Sequence, residues 1–424
     1  MRKSATIALL FLFCGLPINA ATKHQENTLY PSYRGLVMTG YQGWFRVPGD
    51  GSGRGWVHYG ESGQFDAEHN TVDFWPDVSE YERTYDTPFL KSDSTPAKVF
   101  SSYDKSTTDL HFKWMQQYQI DGAFMQRFYG TAKNRNYAKD ENVILANAVE
   151  AAGKYQRAIA MMYDLSGLTP GEDCSPIIED WKELVDRMKM TSQGTGQTYL
   201  YHDGKPIVGI WGIGFQDRPY NIRNIGLEQL IDFLQNDPDY GGCAVMLGVP
   251  AYFRDLNIDC ASDPYLQEII RSADIIFPWV VQRFTPLLHN DLQRYYEHVK
   301  RDIAWCDEAS VDYAAVVYPG FSWNNLSQPE AKLFNPPGAI PRQIGSFYWG
   351  MAYMAIEAGA EMLYVAMFDE IDEGTCIFKC TNDTPVGEGV QFMDFEGAPS
   401  DYYLSLTQRA KTRLTEKLAA QAQP

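Results

Sequence analysis

The apolar stretch MLYVAMF at residues 362–368 runs directly into the acidic stretch DEIDEGT at residues 369–375. The first stretch has the length and composition of a buried strand, and the second places four carboxylates within five positions. Carboxylates crowded at the end of a buried strand lose solvation, so one of them is expected to hold a proton near neutral pH. A carboxyl pair with one protonated and one ionised member is what cleavage of a glycosidic bond requires.

Glu370 and Glu373 are the two acids whose spacing fits such a pair. Three positions apart, they would face opposite sides of a strand, whereas in a turn or a first helical turn they share a side. The strand is therefore expected to end at Glu370, with Gly374 supplying the backbone angles of a turn. We predict that both glutamates are catalytic. The spacing alone is equally compatible with a solvated acidic loop or a calcium site built from clustered oxygens.

Apolar runs of strand length alternate with helical patterns along the whole chain. The predicted strands are residues 35–41, 122–128, 158–165, 206–212, 243–249, 274–279, 313–318 and 361–368. The predicted helices are residues 105–118, 140–153, 176–190, 227–236, 264–272, 290–306, 340–359 and 402–421. Near-continuous apolar strands separated by helices indicate a parallel sheet covered on both faces. The repetition predicts an α/β fold, a (β/α)8 TIM barrel with long loops at its C-terminal face.

The lengths of the connections support the barrel. Links from helix to strand are short, whereas the links from strand to helix at residues 42–103, 319–339 and 370–400 are long. Long loops at one end of a barrel build an active-site face there. One exception is the pair Asp203-Gly204, which predicts a tight hairpin turn leading into the fourth strand.

Residues at the ends of the predicted strands combine aromatic rings, amide and guanidinium donors, and acids. Aromatic rings stack on the apolar faces of sugars while polar groups bind hydroxyls, so this mixture is typical of a site for a neutral glycan. For any single Trp or Tyr, packing in the barrel core is the alternative. The residues predicted to bind substrate are Tyr41, Gln42, Trp44, Gln126, Arg127, Tyr163, Asp164, Trp211, Trp279, Tyr318 and Asp372.

Charge and the N-terminal sequence limit the choice of partners and location. The formal net charge is -18 and the sequence pI about 4.8, which repels phosphate backbones and gives no support to nucleic-acid binding. Residues 1–20 are basic, then apolar, then end in the small Ala20, a pattern that predicts a signal peptide and export to the periplasm or extracellular space. That apolar segment is too short to span a membrane. Residues 21–424 are predicted to form a single (β/α)8 domain and a monomer.

The cysteines and histidines show no metal-binding pattern, so neither a metal nor another cofactor is expected. Once Cys14 has left with the signal peptide, six cysteines remain, and six allow about 15 connectivities among which the sequence does not choose. Cys376 and Cys380 could close a local loop beside the acidic stretch. The histidines expected in loops or on helix surfaces are His58, His69, His111 and His202.

The acidic stretch resembles the motif Asn-Glu-Trp-His-Glu-Gly-Thr of glycoside hydrolase family 99, the endo-acting α-mannosidases and mannanases, and more distantly family 71. Both glutamates and their spacing match, as does the Gly-Thr pair that follows. A weaker likeness extends over nearly the whole chain after the signal peptide. It is carried by residues 41–44, 111–115, 199–211 and 318–321.

This resemblance implies a retaining hydrolysis of α-mannosidic linkages without a metal, by neighbouring-group participation. The glutamate matching Glu370 would deprotonate the substrate 2-hydroxyl, which attacks the anomeric carbon to form a 1,2-anhydro sugar. The glutamate matching Glu373 would protonate the departing oxygen and then activate water. Long loops forming an open cleft favour endo action on an oligosaccharide or polysaccharide.

The motif is altered at three positions, because Asp369, Ile371 and Asp372 replace its Asn, Trp and His. In addition, Tyr163-Asp164 stands where the family carries His-Ile-Glu-Pro. Since these positions shape the sugar subsites, reaction class transfers better than sugar identity. The alternatives are a different α-glycan cleaved by a conventional two-carboxylate route, a glycan-binding pseudoenzyme of the same fold, and a calcium-stabilised structural domain. A third acid from another strand would favour the conventional route.

Overall fold

A parallel barrel forms the centre of the computed structural model, which describes residues 23–24, 27–192, 197–327, 334–387, 389 and 391–422. The strands are β1 (Val37–Tyr41), β2 (Tyr85–Leu90), β3 (Pro96–Val99), β4 (Gly122–Phe128), β5 (Ala158–Asp164), β6 (Tyr201–His202), β7 (Lys205–Trp211), β8 (Ala244–Pro250), β9 (Ile275–Trp279), β10 (Asp312–Tyr313), β11 (Ala315–Val317) and β12 (Leu363–Val365). The predicted signal peptide, residues 1–20, lies outside the described residues.

A strand broken in two closes the barrel. Hydrogen-bonded neighbours follow the order β10-β9-β8-β7-β5-β4-β1-β12-β11, with every pair parallel. β10 pairs with β9 and β11 with β12, and the Ala314 between them donates its N–H to Ile276 O at 2.8 Å. The strand predicted at residues 313–318 therefore forms as two short strands, one paired with each end of the sheet, and so closes the barrel. The predicted (β/α)8 TIM barrel is confirmed.

Helices follow the strands and cover the outside of the barrel. No helix in the described part of the chain has both the length and the apolar character to cross a bilayer. The helices at residues 227–236 and 402–421 begin and end as the sequence predicts, because a continuous apolar face marks both. The helices are α1 (Lys105–Gln117), α2 (Tyr129–Lys133), α3 (Arg135–Tyr155), α4 (Ser175–Arg187), α5 (Leu227–Asn236), α6 (Tyr265–Arg271), α7 (Asp291–Ala309), α8 (Ser346–Ala358) and α9 (Tyr402–Gln421).

Helix α8 starts later than the predicted residues 340–359. Ile340 instead exchanges two 3.0 Å backbone hydrogen bonds with Phe321, which holds it in an extended bridge. Gln343, Ile344 and Gly345 then adopt φ values of 50°, 47° and 72°, a left-handed backbone that cannot continue into a helix. Apolar periodicity alone does not reveal this break.

The last strand is shorter than the predicted residues 361–368, because regular pairing stops at Val365. Hydrogen bonds to the barrel continue irregularly beyond it. The N–H of Ala366 donates to Val317 O and the N–H of Phe368 to Gly40 O, both at 2.9 Å. The acidic stretch therefore leaves the barrel wall at Phe368, still held by its neighbouring strands.

Two antiparallel hairpins decorate the barrel. β2 and β3 pair within the long loop after β1, and β6 pairs with β7. At the second hairpin Asp203 and Gly204 have φ values of 49° and 77°, which matches the two left-handed positions of a tight hairpin turn. The turn predicted at this pair is confirmed.

The expected surface positions of His111 and His202 are wrong. His111 is fully buried on the inner side of α1, between the hydroxyls of Tyr41 at 2.9 Å and Tyr81 at 2.6 Å. Burial lowers the pKa of His111 to about 3, so the ring is neutral there. His202 is also buried and bonds Asp312 Oδ2 at 2.7 Å. Both rings are aromatic partners of the core, a role that their spacing does not indicate.

Candidate active site

The acidic stretch folds into a turn that returns to its own start. The N–H groups of Thr375 and Cys376 donate to Glu370 O at 3.2 and 3.1 Å, and Met367 N–H donates to Thr375 O at 3.1 Å. Gly374 has a φ of 64°, and a Cβ there would lie 2.8 Å from the backbone nitrogen of Ser322. Only glycine fits this position without strain. The turn brings Glu370 and Glu373 to the same side, as their spacing predicts.

Asp369 ties this turn to the end of the first strand. Its two oxygens accept hydrogen bonds from the backbone N–H groups of Gln42 and Gly43, each at 2.8 Å. The side chain is fully buried, and burial raises its pKa to about 7 against these two bonds. Asp369 is therefore a structural brace at the mouth of the barrel, which explains why an acid sits beside Glu370.

Glu370 is held at both oxygens. Gln42 Nε2 donates to Oε1 at 2.8 Å, and Thr375 Oγ1 donates to Oε2 at 2.6 Å. Glu370 is 4% exposed. Burial, followed by the charges of Glu373 and Asp372, raises the pKa of Glu370 well above its ordinary value, while its two hydrogen bonds oppose this rise.

Glu373 and Glu370 line the same cavity, which opens at the mouth of the barrel. Among the described residues, the Glu373 side chain makes no hydrogen bond. Burial, followed by the charges of Asp372 and Asp164, raises the pKa of Glu373 to about 8, and the charge of Arg218 opposes the rise. Because the charge of Glu373 disfavours ionisation of Glu370, the two carboxyl groups titrate as a pair rather than independently.

The cavity beside this pair has a volume of about 480 Å³, within the usual range for a ligand site, and opens where the strands end. Aromatic rings, amides and acids from seven strand ends or following loops form its walls. The indole N–H of Trp211 and the Oε1 of Gln42 are buried, and neither finds a hydrogen-bond partner among the described residues. Of the residues predicted from the sequence, the cavity brings together Gln42, Trp44, Gln126, Asp164, Trp211, Trp279, Glu370 and Glu373.

Arg127 and Tyr163 point away from this cavity. Arg127 Nε donates to Asp180 Oδ2 at 3.0 Å and Tyr163 OH donates to the same oxygen at 2.9 Å, so both side chains face α4. Alternation along β4 and β5 explains this, because Gln126 and Asp164 occupy the inward positions.

Tyr41, Tyr318 and Asp372 do not line the cavity either. The hydroxyl of Tyr41 bonds His111 in the core, and the hydroxyl of Tyr318 donates to Phe284 O. Asp372 is 1% exposed and its Oδ2 bonds His58 Nδ1 at 2.9 Å. These three side chains support the wall from behind.

Trp44 reaches the cavity only in part. The His58 ring stacks on its indole with centroids 3.6 Å apart, and the Phe128 ring stacks with centroids 5.5 Å apart. Its aromatic surface is therefore partly occupied by protein. A second cavity of about 440 Å³ lies beside the first and shares Gln42, Trp44, Gln126 and Phe128 with it. Arg127, which does not line the first cavity, lines this second one.

Arg218 is a cavity residue that sequence reasoning missed. Its guanidinium carbon lies 4.9 Å from the centroid of the Trp211 ring, and its NH1 lies 3.4 Å from Ser166 Oγ. Burial raises the pKa of the nearby Asp164 to about 6, opposed by hydrogen bonds from Ser166 and by the charge of Arg218. Arg218 stands in a loop without periodicity, so no local signal places it opposite the acids.

The closed parallel sheet defines a (β/α)8 barrel protein. Its acid-lined cavity lies at the C-terminal face, which is where enzymes of this fold carry their active sites. Among solved structures, the chain is similar to the glycoside hydrolase family 99 endo-α-mannosidase from Bacteroides thetaiotaomicron, with a TM-score of 0.64, 14% identity, and coverage of 92% of this chain and 100% of that one. The same enzyme with bis-tris-propane gives a TM-score of 0.62 at the same identity and coverage.

A structure named only as a glycoside hydrolase-like protein is similar at a TM-score of 0.50 and 12% identity, covering 80% of this chain and 95% of that one. No protein-family model matches the sequence, and no curated protein does. The solved structures confirm the barrel fold and the likeness to family 99 that the sequence predicts.

Proposed function

We propose that this protein is an exported glycoside hydrolase that cleaves α-mannosidic or related α-linked glycans with retention of configuration. The observation that carries the proposal is that Glu370 and Glu373 both line one aromatic-lined cavity at the mouth of the barrel. The family 99 endo-α-mannosidase shares this fold over 92% of the chain, which supports the glycosidase class.

The pair divides its roles through its hydrogen bonds. Donors on both oxygens of Glu370 favour the anion, whereas no side chain or N–H in the described part of the chain donates to Glu373, which lines the cavity. We therefore assign the negative charge to Glu370 and the proton to Glu373 at neutral pH. One ionised and one protonated carboxyl group are what the reaction needs.

With these roles, Glu370 accepts the proton of the substrate 2-hydroxyl while that oxygen attacks the anomeric carbon. Glu373 donates its proton to the departing glycosidic oxygen, and a 1,2-anhydro sugar remains. Glu373, now ionised, deprotonates a water that opens the anhydro ring, and the 2-oxygen recovers its proton from Glu370. Two inversions at the anomeric carbon give net retention.

Asp164 supports a second mechanism. It is a third buried acid on the same cavity, contributed by β5 rather than by the turn after β12, and its charge raises the pKa of Glu373. In a conventional retaining route one carboxylate attacks the anomeric carbon directly and a covalent glycosyl-enzyme forms. With three acids present, one can serve as nucleophile while another donates the proton.

The walls favour a neutral, extended glycan. The chain carries a formal net charge of -18, and acids line the cavity, so anionic sugars would be repelled. The unpartnered N–H of Trp211 and Oε1 of Gln42 offer a donor and an acceptor for sugar hydroxyls. The adjoining second cavity gives room for further sugar residues, which supports endo action.

A substrate screen tests the proposal. Purified protein is incubated with α-mannans, α-glucans and mixed α-linked oligosaccharides, and the first anomer released is followed by NMR. We expect α-anomeric oligosaccharides from at least one α-mannosidic substrate. Early release of the β-anomer would refute retention. Calorimetric binding of a saccharide with no product from any member of the panel would refute hydrolysis and identify a glycan-binding pseudoenzyme.

Trapping separates the two mechanisms. A 2-deoxy-2-fluoro glycosyl fluoride lacks the hydroxyl that the anhydro route needs, so that route predicts neither turnover nor a covalent adduct. The conventional route predicts an intact-mass increase of one fluoroglycosyl group. Peptide mapping would then place that group on Glu370, Glu373 or Asp164.

A further inference from the structure

Two thiols meet directly beneath the acidic turn. Cys376 and Cys380 are both fully buried, and their Sγ atoms lie 3.7 Å apart, within van der Waals contact. The thiol of Cys243 instead neighbours His24 Nε2 at 3.6 Å, and that of Cys260 donates to Ala261 O at 3.3 Å. The pair beneath the turn is therefore placed for chemistry that these two other thiols are not.

The backbone holds the two cysteines close together. Cys376 N–H donates to Glu370 O at 3.1 Å, and Cys380 forms a bridge with Pro76. Between them, the N–H groups of Ile377 and Phe378 both donate to Phe368 O. The segment is thus fixed at both ends, and rotation of the two side chains is the movement left to bring the sulfurs together.

A buried cation accompanies the pair. Arg342 is 2% exposed, and its NH2 group donates to Cys376 O at 2.7 Å and lies 3.6 Å from Cys376 Sγ. Burial opposes ionisation of Cys376, yet the hydrogen bond from Cys380 and the charge of Arg342 lower the pKa of this thiol below its ordinary value. Thiolate character at one member of a contacting pair favours disulfide formation.

We propose that Cys376 and Cys380 form a disulfide that locks the turn carrying the two glutamates. The Cys376 thiolate attacks a sulfur of an external disulfide oxidant, expelling one thiolate and giving a mixed disulfide. The Cys380 sulfur, losing its proton, then attacks Cys376 Sγ and expels the second oxidant thiolate. The protein loses two hydrogens and two thiols of the oxidant are released, so the exchange balances. Because both sulfurs are buried in the native fold, the exchange takes place late in folding, when Arg342 already lies beside Cys376 and the oxidant still reaches the sulfurs.

The bond would act on the site through the backbone. The disulfide closes a loop immediately after Thr375, whose hydroxyl donates to the Glu370 side chain. It also fixes Cys376, whose backbone N–H donates to Glu370 O. Residues 376–380 would then resist local opening, and Glu370 would keep its position relative to the cavity. The proposal rests on the proposed export only for the supply of oxidant.

Peptide mapping gives a direct test, because Lys379 lies between the two cysteines. Trypsin should yield residues 343–379 and 380–409, each with one cysteine. The full chain is produced in a bacterial host with an oxidising cytosol, so that the result does not depend on the leader. It is denatured with iodoacetamide and digested without reductant, and the same chain from a reducing cytosol is the matched control.

We expect the oxidising host to give the two peptides joined, with a mass two hydrogens below their sum, and reduction to separate them. The reducing host should give both peptides alkylated. Separate alkylated peptides from the oxidising host would overturn the proposal. No substrate enters this test, so its failure is distinct from failure of the proposed hydrolase.

A second test measures the melting temperature of the wild-type protein with and without a reductant, and a double variant serves as the control. Dithiothreitol should lower the melting temperature of the oxidised wild type and leave that of the C376S/C380S variant unchanged. An equal response of the two proteins would overturn the locking role.

Discussion

Replacing Thr375 with valine keeps the shape of the side chain but removes the hydroxyl that donates to Glu370 Oε2 at 2.6 Å. Thr375 is 1% exposed, so water does not replace the lost donor. A hydrogen bond to a charged group contributes about 1.5–3 kcal/mol, and about 1.4 kcal/mol corresponds to one pH unit. Since the lost bond stabilised the anion, the pKa of Glu370 should rise by about 1–2 pH units.

The assay is the pH dependence of kcat/KM on the substrate that the screen identifies. Glu370 must be ionised to act as a base, so the acid limb of the profile should move to higher pH by about 1–2 units in T375V. The variant T375S keeps the hydroxyl and is the matched control, with a profile close to the wild type. A T375V profile that coincides with the wild type, or moves to lower pH, would refute the assigned role of Glu370.

Three further predictions concern stability. Burial raises the pKa of Glu373 to about 8, so its protonated form stabilises the fold below pH 4.5 and this contribution is lost as pH rises through 8. E373Q, which cannot ionise, should therefore gain melting temperature over the wild type between pH 5 and 9, and a constant difference would contradict this. In urea titrations, G374A should lower the unfolding free energy by about 1–3 kcal/mol. The control G397A should lower it by less, because Gly397 also has a positive φ, 79°, but an added Cβ there meets nothing within 4 Å. R127Q leaves the buried Asp180 without its cation and should cost about 3–5 kcal/mol in the same titrations, whereas an unfolding free energy equal to that of the wild type would contradict a stabilising buried ion pair.

The barrel could be predicted from the sequence because its strands are buried on both faces. Apolar runs such as residues 122–125 are typical of strands in that setting, and the observed β4, Gly122–Phe128, has the predicted bounds. Closure could not be predicted in detail. The division of one predicted strand around Ala314 depends on which neighbour each half meets, and that is a property of the closed sheet.

The candidate site was partly predictable for a related reason. Position at a strand end places a residue near the mouth of the barrel, but the alternation of side chains decides whether it points inward. Gln126 and Asp164 line the cavity, while their neighbours Arg127 and Tyr163 face α4. A shift of one residue in the inward–outward alternation reverses this assignment. At the ends of β-strands the sequence gives the least information on which side chains point inward.

Arg218 shows the limit of local reasoning. It belongs to the loop after β7 and reaches the acids only because the chain folds back over Trp211. No motif or spacing connects it to Glu373. Long loops at a barrel mouth contribute such residues through tertiary contacts, so they become visible only in three dimensions.

The division of labour between Glu370 and Glu373 is tested most directly by comparing leaving groups. Rates of E370Q and E373Q are measured on a natural α-linked substrate and on the matching α-glycosyl fluoride, whose fluoride leaves without needing a proton. We predict that E373Q loses at least about 100-fold on the natural substrate but much less on the fluoride, whereas E370Q loses at least about 100-fold on both. Wild-type rates from either variant on the natural substrate would contradict the assignment.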